Sequence, residues 1–227
     1  MIKFESVTKK YGSTIALDDV TFEVGEGEFA FLTGHSGAGK TTLIRLLLCE
    51  ITPTSGKVLI EGRDLKSLKK SDIPYYRRKI GVIFQDFKLL QDRTVYENVK
   101  IATEIDGRTT PEEEKKVQNA LKDVGMTNKA NLFPRQLSGG EVQRTVIARV
   151  LVQKPKVILA DEPTGNLDPQ TAMQIVDLLQ DAAKNGVTVL MATHNADIVD
   201  ALKHRVIRLK EGKIQSDVKK GKYEKND

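Results

Sequence analysis

The sequence predicts an α/β fold with a mostly parallel core sheet, an antiparallel β subdomain and an inserted helical subdomain. Three patterns carry that expectation. Apolar, strand-length runs at 28–33, 156–160 and 187–192 alternate with helical periodicity, the arrangement of a parallel sheet covered by helices. Short segments of partial apolar/polar alternation, closed by glycines, occupy the beginning of the chain. Between Asp86 and Gln153 the pattern is mainly helical, with no convincing strand.

Residues 2–7 and 20–24 read as strands of an antiparallel edge sheet. The run Phe29, Ala30, Phe31, Leu32 then forms a strand over 28–33, followed by a glycine-rich loop and a helix over 42–49. Residues 57–60 and 80–84 supply further strands, with Gln85 at the end of the second. The inserted lobe is expected to hold helices at 94–105, at 111–124 with a proline near its start, and at 139–152. Four consecutive apolar residues, 157–160, suit a strand buried on both faces. A helix over 169–183 places Ala172, Ile175, Val176 and Leu179 on one stripe, before the strand at 187–192. Residues 219–227, rich in lysine, glycine and acid, read as a loose tail.

With 227 residues the chain is expected to form one domain with an embedded lobe. No run approaches the roughly 18–20 apolar residues needed to span a bilayer, and the start lacks the apolar core of a signal peptide, so a cytosolic protein is expected. The single cysteine, Cys49, excludes an internal disulfide framework and reads as a buried, inert thiol beside Leu46, Leu47 and Leu48. The net charge of +5 is modest, and the clusters Lys69-Lys70, Arg77-Arg78-Lys79 and Lys219-Lys220 are scattered. They read as solvated surface, or as a surface working near anionic lipid headgroups, where each basic side chain adds roughly 1 kcal/mol. No recognition helix or aromatic platform on a basic face is evident, and no nucleic-acid partner is expected.

The segment 34–41, GHSGAGKT, fits the G-x-x-x-x-G-K-[ST] pattern between a strand and a helix. Glycines at Gly34, Gly37 and Gly39 let the backbone curl until successive N–H groups point at phosphate oxygens, and the following helix N-terminus adds a favourable dipole. Lys40 is expected on the β- and γ-phosphates and the Thr41 hydroxyl on Mg²⁺, with Thr42 continuing the loop. His35, Ser36 and Ala38 contribute through the loop backbone.

Asp161 and Glu162 end the apolar strand 156–160, at the carboxyl edge of the expected sheet, and would emerge beside the phosphate loop if the two strands are neighbours. Asp161 suits organising the metal, while Glu162 can polarise an attacking water. His194 closes another strand at the same edge and could reach the γ-phosphate and that water. Gln85 could complete the Mg²⁺ shell through its amide oxygen.

Ser138 and Glu141 satisfy a capping box at the start of a helix. Gly139 and Gly140 in its first turn lack that explanation, since glycine costs roughly 1 kcal/mol against alanine in a helix interior. Bare backbone there suggests the close approach of a ligand, a second phosphate-binding surface.

The run 137–141, LSGGE, is similar to the signature of ABC ATPases, and it stands in that family's order: Tyr11, the phosphate loop, Gln85, LSGGE, LADEPTGNLD, then His194. The resemblance covers nearly the whole chain and implies a P-loop NTPase fold of ABC type: a RecA-like core over about 1–85 and 156–218, and a helical subdomain over about 86–155. It further implies ATP and Mg²⁺ as cofactors, Tyr11 stacking on adenine, and Asp168 in a loop between protomers. Ser138 would contact ATP held by the opposite copy of a homodimer formed on ATP binding. Asp168 also reads as the N-cap before Pro169.

The wider motif set resembles the cell-division branch of the family, which implies an integral membrane partner resembling FtsX and a peripheral place on the cytoplasmic face of the plasma membrane. The alternative is the ATPase of a lipoprotein-release or macrolide-export transporter, which shares ADEPTGNLD. Val142 and Asn195 depart from the commoner family residues without removing a phosphate-contacting group. A chromosome-structural or DNA-repair ABC protein needs a coiled-coil insertion that is missing here, and a translation-factor type needs two sets of motifs. A scaffold that only binds ATP is disfavoured by Glu162 and His194.

Overall fold

The computed structural model describes residues 1–104 and 110–223. The chain opens with a long antiparallel hairpin, β1 (Ile2–Tyr11) and β2 (Thr14–Val24), which continues into β4 (Ser55–Ile60) and the short β5 (Arg63–Asp64) as a separate four-stranded sheet of order β2-β1-β4-β5. Both hairpin strands are longer than the alternation implied. Ser6 and Asp19 adopt left-handed backbone conformations, and the register shifts between Phe4 and Val7 and again towards Lys10. Each such bulge flips the inward face and breaks the period of two on which a strand is recognised.

The second sheet contains β3 (Phe29–Thr33), β6 (Ile80–Ile83), β7 (Val157–Asp161), β8 (Thr188–Ala192), β9 (Arg205–Lys210) and β10 (Lys213–Val218), in the order β10-β9-β3-β8-β7-β6. Five strands are parallel and β10 is antiparallel on the edge. Their runs are apolar throughout because both faces are covered. Phe31, Ile158, Val189 and Met191 join a core shared with helices of the inserted lobe and α6 (Pro169–Lys184). Leu32, Leu159, Leu190 and Ala192 point the other way, into a core shared with α1 (Lys40–Leu47) and the antiparallel sheet. The stripe Ala172, Ile175, Val176 and Leu179 of α6 is fully buried, as its spacing required.

Between β6 and β7 the described residues form helices and turns only. They include α3 (Val95–Lys100), α4 (Pro111–Asp123) and α5 (Gly139–Leu151), preceded in the chain by the short α2 (Ile73–Arg77). Thr94, Thr110 and Ser138 open the three lobe helices with complete capping boxes, which satisfy orphan backbone N–H groups at each start. α3 stops at Lys100, short of the expected 105, where Thr103 turns its hydroxyl back to the Lys100 carbonyl at 2.8 Å; Ile105 lies outside the described residues.

β9, β10 and α7 (Ala196–Leu202) complete the core without having been anticipated. Cys49 is half-buried rather than buried. It sits in a left-handed conformation at the end of α1, and burial pushes its thiol up from the ordinary value. The near part of the expected loose tail, residues 219–223, is tied by hydrogen bonds to the strand and helix it crosses, whereas 224–227 lie outside the described residues. Among the described residues no helix is long and apolar enough to cross a membrane.

Candidate active site

The parallel register brings four strand ends to one edge. Leu32 of β3, Ala192 of β8 and Asp161 of β7 stand level in the sheet, so the phosphate loop, His194 and Glu162 each begin within two residues of the same line. β3 and β7 are not neighbours, however: β8 lies between them, which corrects the adjacency expected from sequence and puts His194 between the phosphate loop and the carboxylates. β6 ends at Ile83, and Gln85 follows two residues beyond it.

At this edge lies a cleft of about 630 Å³. Its walls include His35, Ser36, Gly37, Gly39, Lys40, Thr41 and Thr42 from the loop and α1, together with Gln85, Asp161, Glu162 and His194. The loop shape depends on its glycines. Gly34, Gly37 and Gly39 have φ of 146°, 80° and 110°, a region that L side chains rarely adopt. A Cβ on Gly34 would lie 2.3 Å from the Leu209 carbonyl oxygen, and one on Gly39 would lie 2.7 Å from the Ala16 carbonyl oxygen. Gly34 and Ala38 are buried and do not line the cleft.

Lys40 is buried, and its ammonium donates to the Gly34 carbonyl at 2.5 Å and to the His35 carbonyl at 3.2 Å. The charge is therefore held inside the curl of the loop, beside the N-terminus of α1. The Thr41 hydroxyl lies 3.5 Å from Asp161 Oδ2. The Asp161 carboxyl is pushed up by burial and then by the Glu162 charge beside it, with Lys40 and Thr41 partly offsetting the rise. The Asp161 carboxyl and the Thr41 hydroxyl thus present hard oxygen donors side by side, the kind that suits a divalent cation.

Glu162 has φ 50°, unusual for a residue other than glycine, and its backbone is pinned by donating to the Ala192 carbonyl at 2.9 Å. Such a conformation costs on the order of 1 kcal/mol or more and is held by its surroundings. The result directs the carboxylate at His194: Nδ1 is 2.8 Å from Oε1, and the His194 backbone N–H donates to Oε2 at 3.3 Å. The Glu162 side chain is 14% exposed and the imidazole 66%, so the carboxylate is enclosed and the histidine forms the mouth. Asn195, directly after it, caps α7 by accepting from Ile198 N–H at 3.2 Å, which accounts for an amide at that position.

The remaining expected residues do not line this cleft. Tyr11 is exposed at the end of β1 with the Lys9 ammonium over its ring. Ser138, Gly139 and Gly140 begin α5 on the helical lobe. Asp168 caps α6, accepting from Thr171 N–H at 3.0 Å, and hydrogen bonds from Thr171 hold its carboxyl below the ordinary range. The glycines have an intramolecular partner that the sequence concealed: a Cβ on Gly140 would lie 2.4 Å from Thr171 Cγ2, and one on Gly139 would lie 3.3 Å from Leu167 Cδ2. The signature turn thus packs closely on the start of α6.

Beyond Gln85 the chain passes through consecutive left-handed residues, Phe87 and Lys88. Arg149, half-buried on α5, donates to both of their carbonyls, at 3.1 and 2.7 Å. One helix therefore carries Ser138 at its start and grips the segment after Gln85 near its end. Two cleft residues escaped the sequence reading, Ala16 and Tyr223. Ala16 carries no chemical signal, but a lone aromatic among the lysines of the tail is one that could have located Tyr223.

Residues 17–165 match the family model described as ABC transporter. The chain is 48% identical to the "Cell division ATP-binding protein FtsE" of Mycobacterium tuberculosis (strain ATCC 25618 / H37Rv), covering 98% of each, and 48% identical to that of Escherichia coli (strain K12), covering 96% of this chain and 99% of the relative. Among solved structures it is similar to MJ0796, a dimeric bacterial ABC transporter cassette, with TM-score 0.86, 36% identity, and coverage of 98% of this chain and 100% of that one. A dimeric post-hydrolysis state of the MJ0796 cassette bound to ADP and Pi gives TM-score 0.85 at the same identity and coverage. The chain belongs to the ABC transporter family of ATP-binding cassettes and, within it, to the FtsE group.

Proposed function

We propose that this chain is the ATP-hydrolysing subunit of a membrane-associated division complex of the FtsE–FtsX type, in which hydrolysis regulates peptidoglycan cleavage at the septum. The observation that carries the chemistry is the pairing of Glu162 with His194 at the mouth of the cleft that holds the phosphate loop. Near-full-length identity of 46–48% to FtsE proteins of several bacteria favours the division role over the lipoprotein-release or macrolide-export alternative.

In this reading the loop N–H groups and Lys40 hold the phosphates of ATP, and Tyr11 stacks on the adenine. Glu162 polarises the attacking water, and His194 orients that water and the γ-phosphate. Thr41, Gln85 and Asp161 are the residues that would hold Mg²⁺. The fit rests on their common cleft and on the Asp161 carboxylate, held there against burial and the neighbouring Glu162 charge, both of which a cation offsets. When bound, Mg²⁺ neutralises charge on the phosphate oxygens.

Ser138, Gly139, Gly140 and Asp168 stand away from the cleft of their own chain, and we assign them to the ATP held by a second copy, in a homodimer formed on ATP binding. A membrane partner resembling FtsX holds the assembly at the cytoplasmic face of the plasma membrane. Affinity purification of the tagged full chain from solubilised membranes, followed by mass spectrometry of the spanning partner, tests the assignment. An FtsX-like protein is expected. An exporter permease in its place overturns the division role while leaving ATP hydrolysis standing.

A further inference from the structure

The described end of the chain is fastened to the fold by hydrogen bonds rather than trailing from it. After Val218 at the end of β10, the chain crosses the start of β9 and turns along α7. Gly221 is buried, and its N–H donates to the His204 carbonyl at 3.1 Å. A Cβ at Gly221 would lie 2.7 Å from both Cβ and Cγ2 of Val206, so only glycine fits where the chain passes this strand. Two residues on, Tyr223 N–H donates to Asp200 Oδ1 on α7 at 2.5 Å. The Tyr223 side chain is half-buried against the core cluster that includes Ile198 and Val199 of the same helix, and it lines the cleft together with His194 and Glu162. α7 starts at the Asn195 cap, the residue immediately after His194.

These contacts form one mechanical unit. The helix that follows His194 is held at Asp200 by the C-terminal strap, and the strap ends in a ring that lines the same cleft. We infer that Tyr223 is a positioning residue for ATP hydrolysis: the strap 219–223 fixes the stance of α7 and thereby holds His194 at the mouth of the cleft. The inference rests on the proposed role of His194. The work falls to the aromatic ring and the backbone N–H, so the phenolic hydroxyl is dispensable.

The chain has three histidines, His35, His194 and His204, whose imidazole resonances in the histidine-labelled full chain report on position directly. Tyr223→Ala and Gly221→Ala are each expected to move the His194 resonances while leaving those of His35 in place. In the same variants kcat for ATP should fall by about tenfold with KM changed by less than about twofold, the pattern of a misplaced reacting group rather than a lost binding contact. Tyr223→Phe should retain both the spectrum and the rate. An unmoved His194 resonance or an unchanged kcat in folded Tyr223→Ala overturns the inference. If that variant does not fold, Asp200→Ala, which removes only the acceptor for Tyr223 N–H, carries the same expectations and the same overturning results. A full rate in His194→Ala overturns the role of His194 and this inference with it. A rate lost in His194→Ala but intact in Tyr223→Ala counts against the strap alone.

Discussion

His194 contacts both oxygens of Glu162, one through Nδ1 at 2.8 Å and the other through its backbone N–H at 3.3 Å. The carboxylate is thereby aimed by two donors from the neighbouring strand end. A glutamine in its place keeps the size but loses the basicity that polarises water. Glu162→Gln should therefore bind ATP yet lose hydrolysis by roughly a hundredfold or more, on the scale of a general base. With the nucleotide uncleaved, the ATP-bound pair of chains should accumulate. Light scattering behind a sizing column, with ATP and Mg²⁺, is expected to show a dimer; a strictly monomeric variant would count against the shared site.

Lys40 lies within the loop, with Gly34 and His35 carbonyls as its acceptors. Both acceptors are neutral carbonyls, and a phosphate is a stronger one because the contact becomes charge-assisted on both sides. Removing the cation by Lys40→Ala should weaken ATP binding by about a hundredfold, the upper range of a hydrogen bond to a charged group. Titration with a fluorescent ATP analogue reads this directly, and unchanged affinity would remove Lys40 from the phosphate site.

Two causes compete for Gly140, packing on Thr171 and the approach of a nucleotide from a second copy. They separate experimentally. Gly140→Ala puts a methyl group 2.4 Å from Thr171 Cγ2, so the variant should lose on the order of 1–3 kcal/mol, the usual range for overpacking. Thr171→Ser deletes that methyl while keeping the backbone N–H that Asp168 caps. Combined with Gly140→Ala it should restore the melting temperature. ATPase activity should stay low in the rescued protein if the bare backbone also serves the partner's ATP. Full recovery of activity would leave packing as the complete explanation.

The curl of residues 34–41 was legible because its demands on the backbone are local. A loop that must curl and donate N–H groups needs Gly34, Gly37 and Gly39 wherever the rest of the chain lies. The two-faced burial of β7 and the stripe on α6 were legible for the same reason, since periodicity records which faces are covered. Strand order is different. Nothing within β3, β7 or β8 states that β8 lies between the other two, and that placement is what brings His194 against Glu162. The hairpin strands were cut short because bulges at Ser6 and Asp19 flip the pattern. Tyr223 was passed over because the charged composition around it suggested a free tail, whereas hydrogen bonds to distant residues, Asp200 and the His204 backbone, decide its position.

His204 offers a pH-dependent readout of the fold away from the catalytic edge. Its ring stacks on Phe29 at 4.8 Å, and its Nε2 lies 3.1 Å from Gln180 Oε1. Burial, then the Lys184 charge, hold its pKa below the ordinary value. Well above pH 6.5 the ring is uncharged in both folded and unfolded chains and contributes no pH dependence. As pH falls below about 6.5, the unfolded chain takes up the proton first, so the folded state loses stability until pH passes through the lowered folded value. Stability therefore rises with pH across this window. His204→Gln removes the titrating group; it should lower the melting temperature at pH 7.5 through lost stacking, yet shrink the further drop on going to pH 5.5. Thermal melts of both proteins at the two pH values test the sign: an equal or larger drop in the variant would show that His204 is not the group whose protonation opposes the fold.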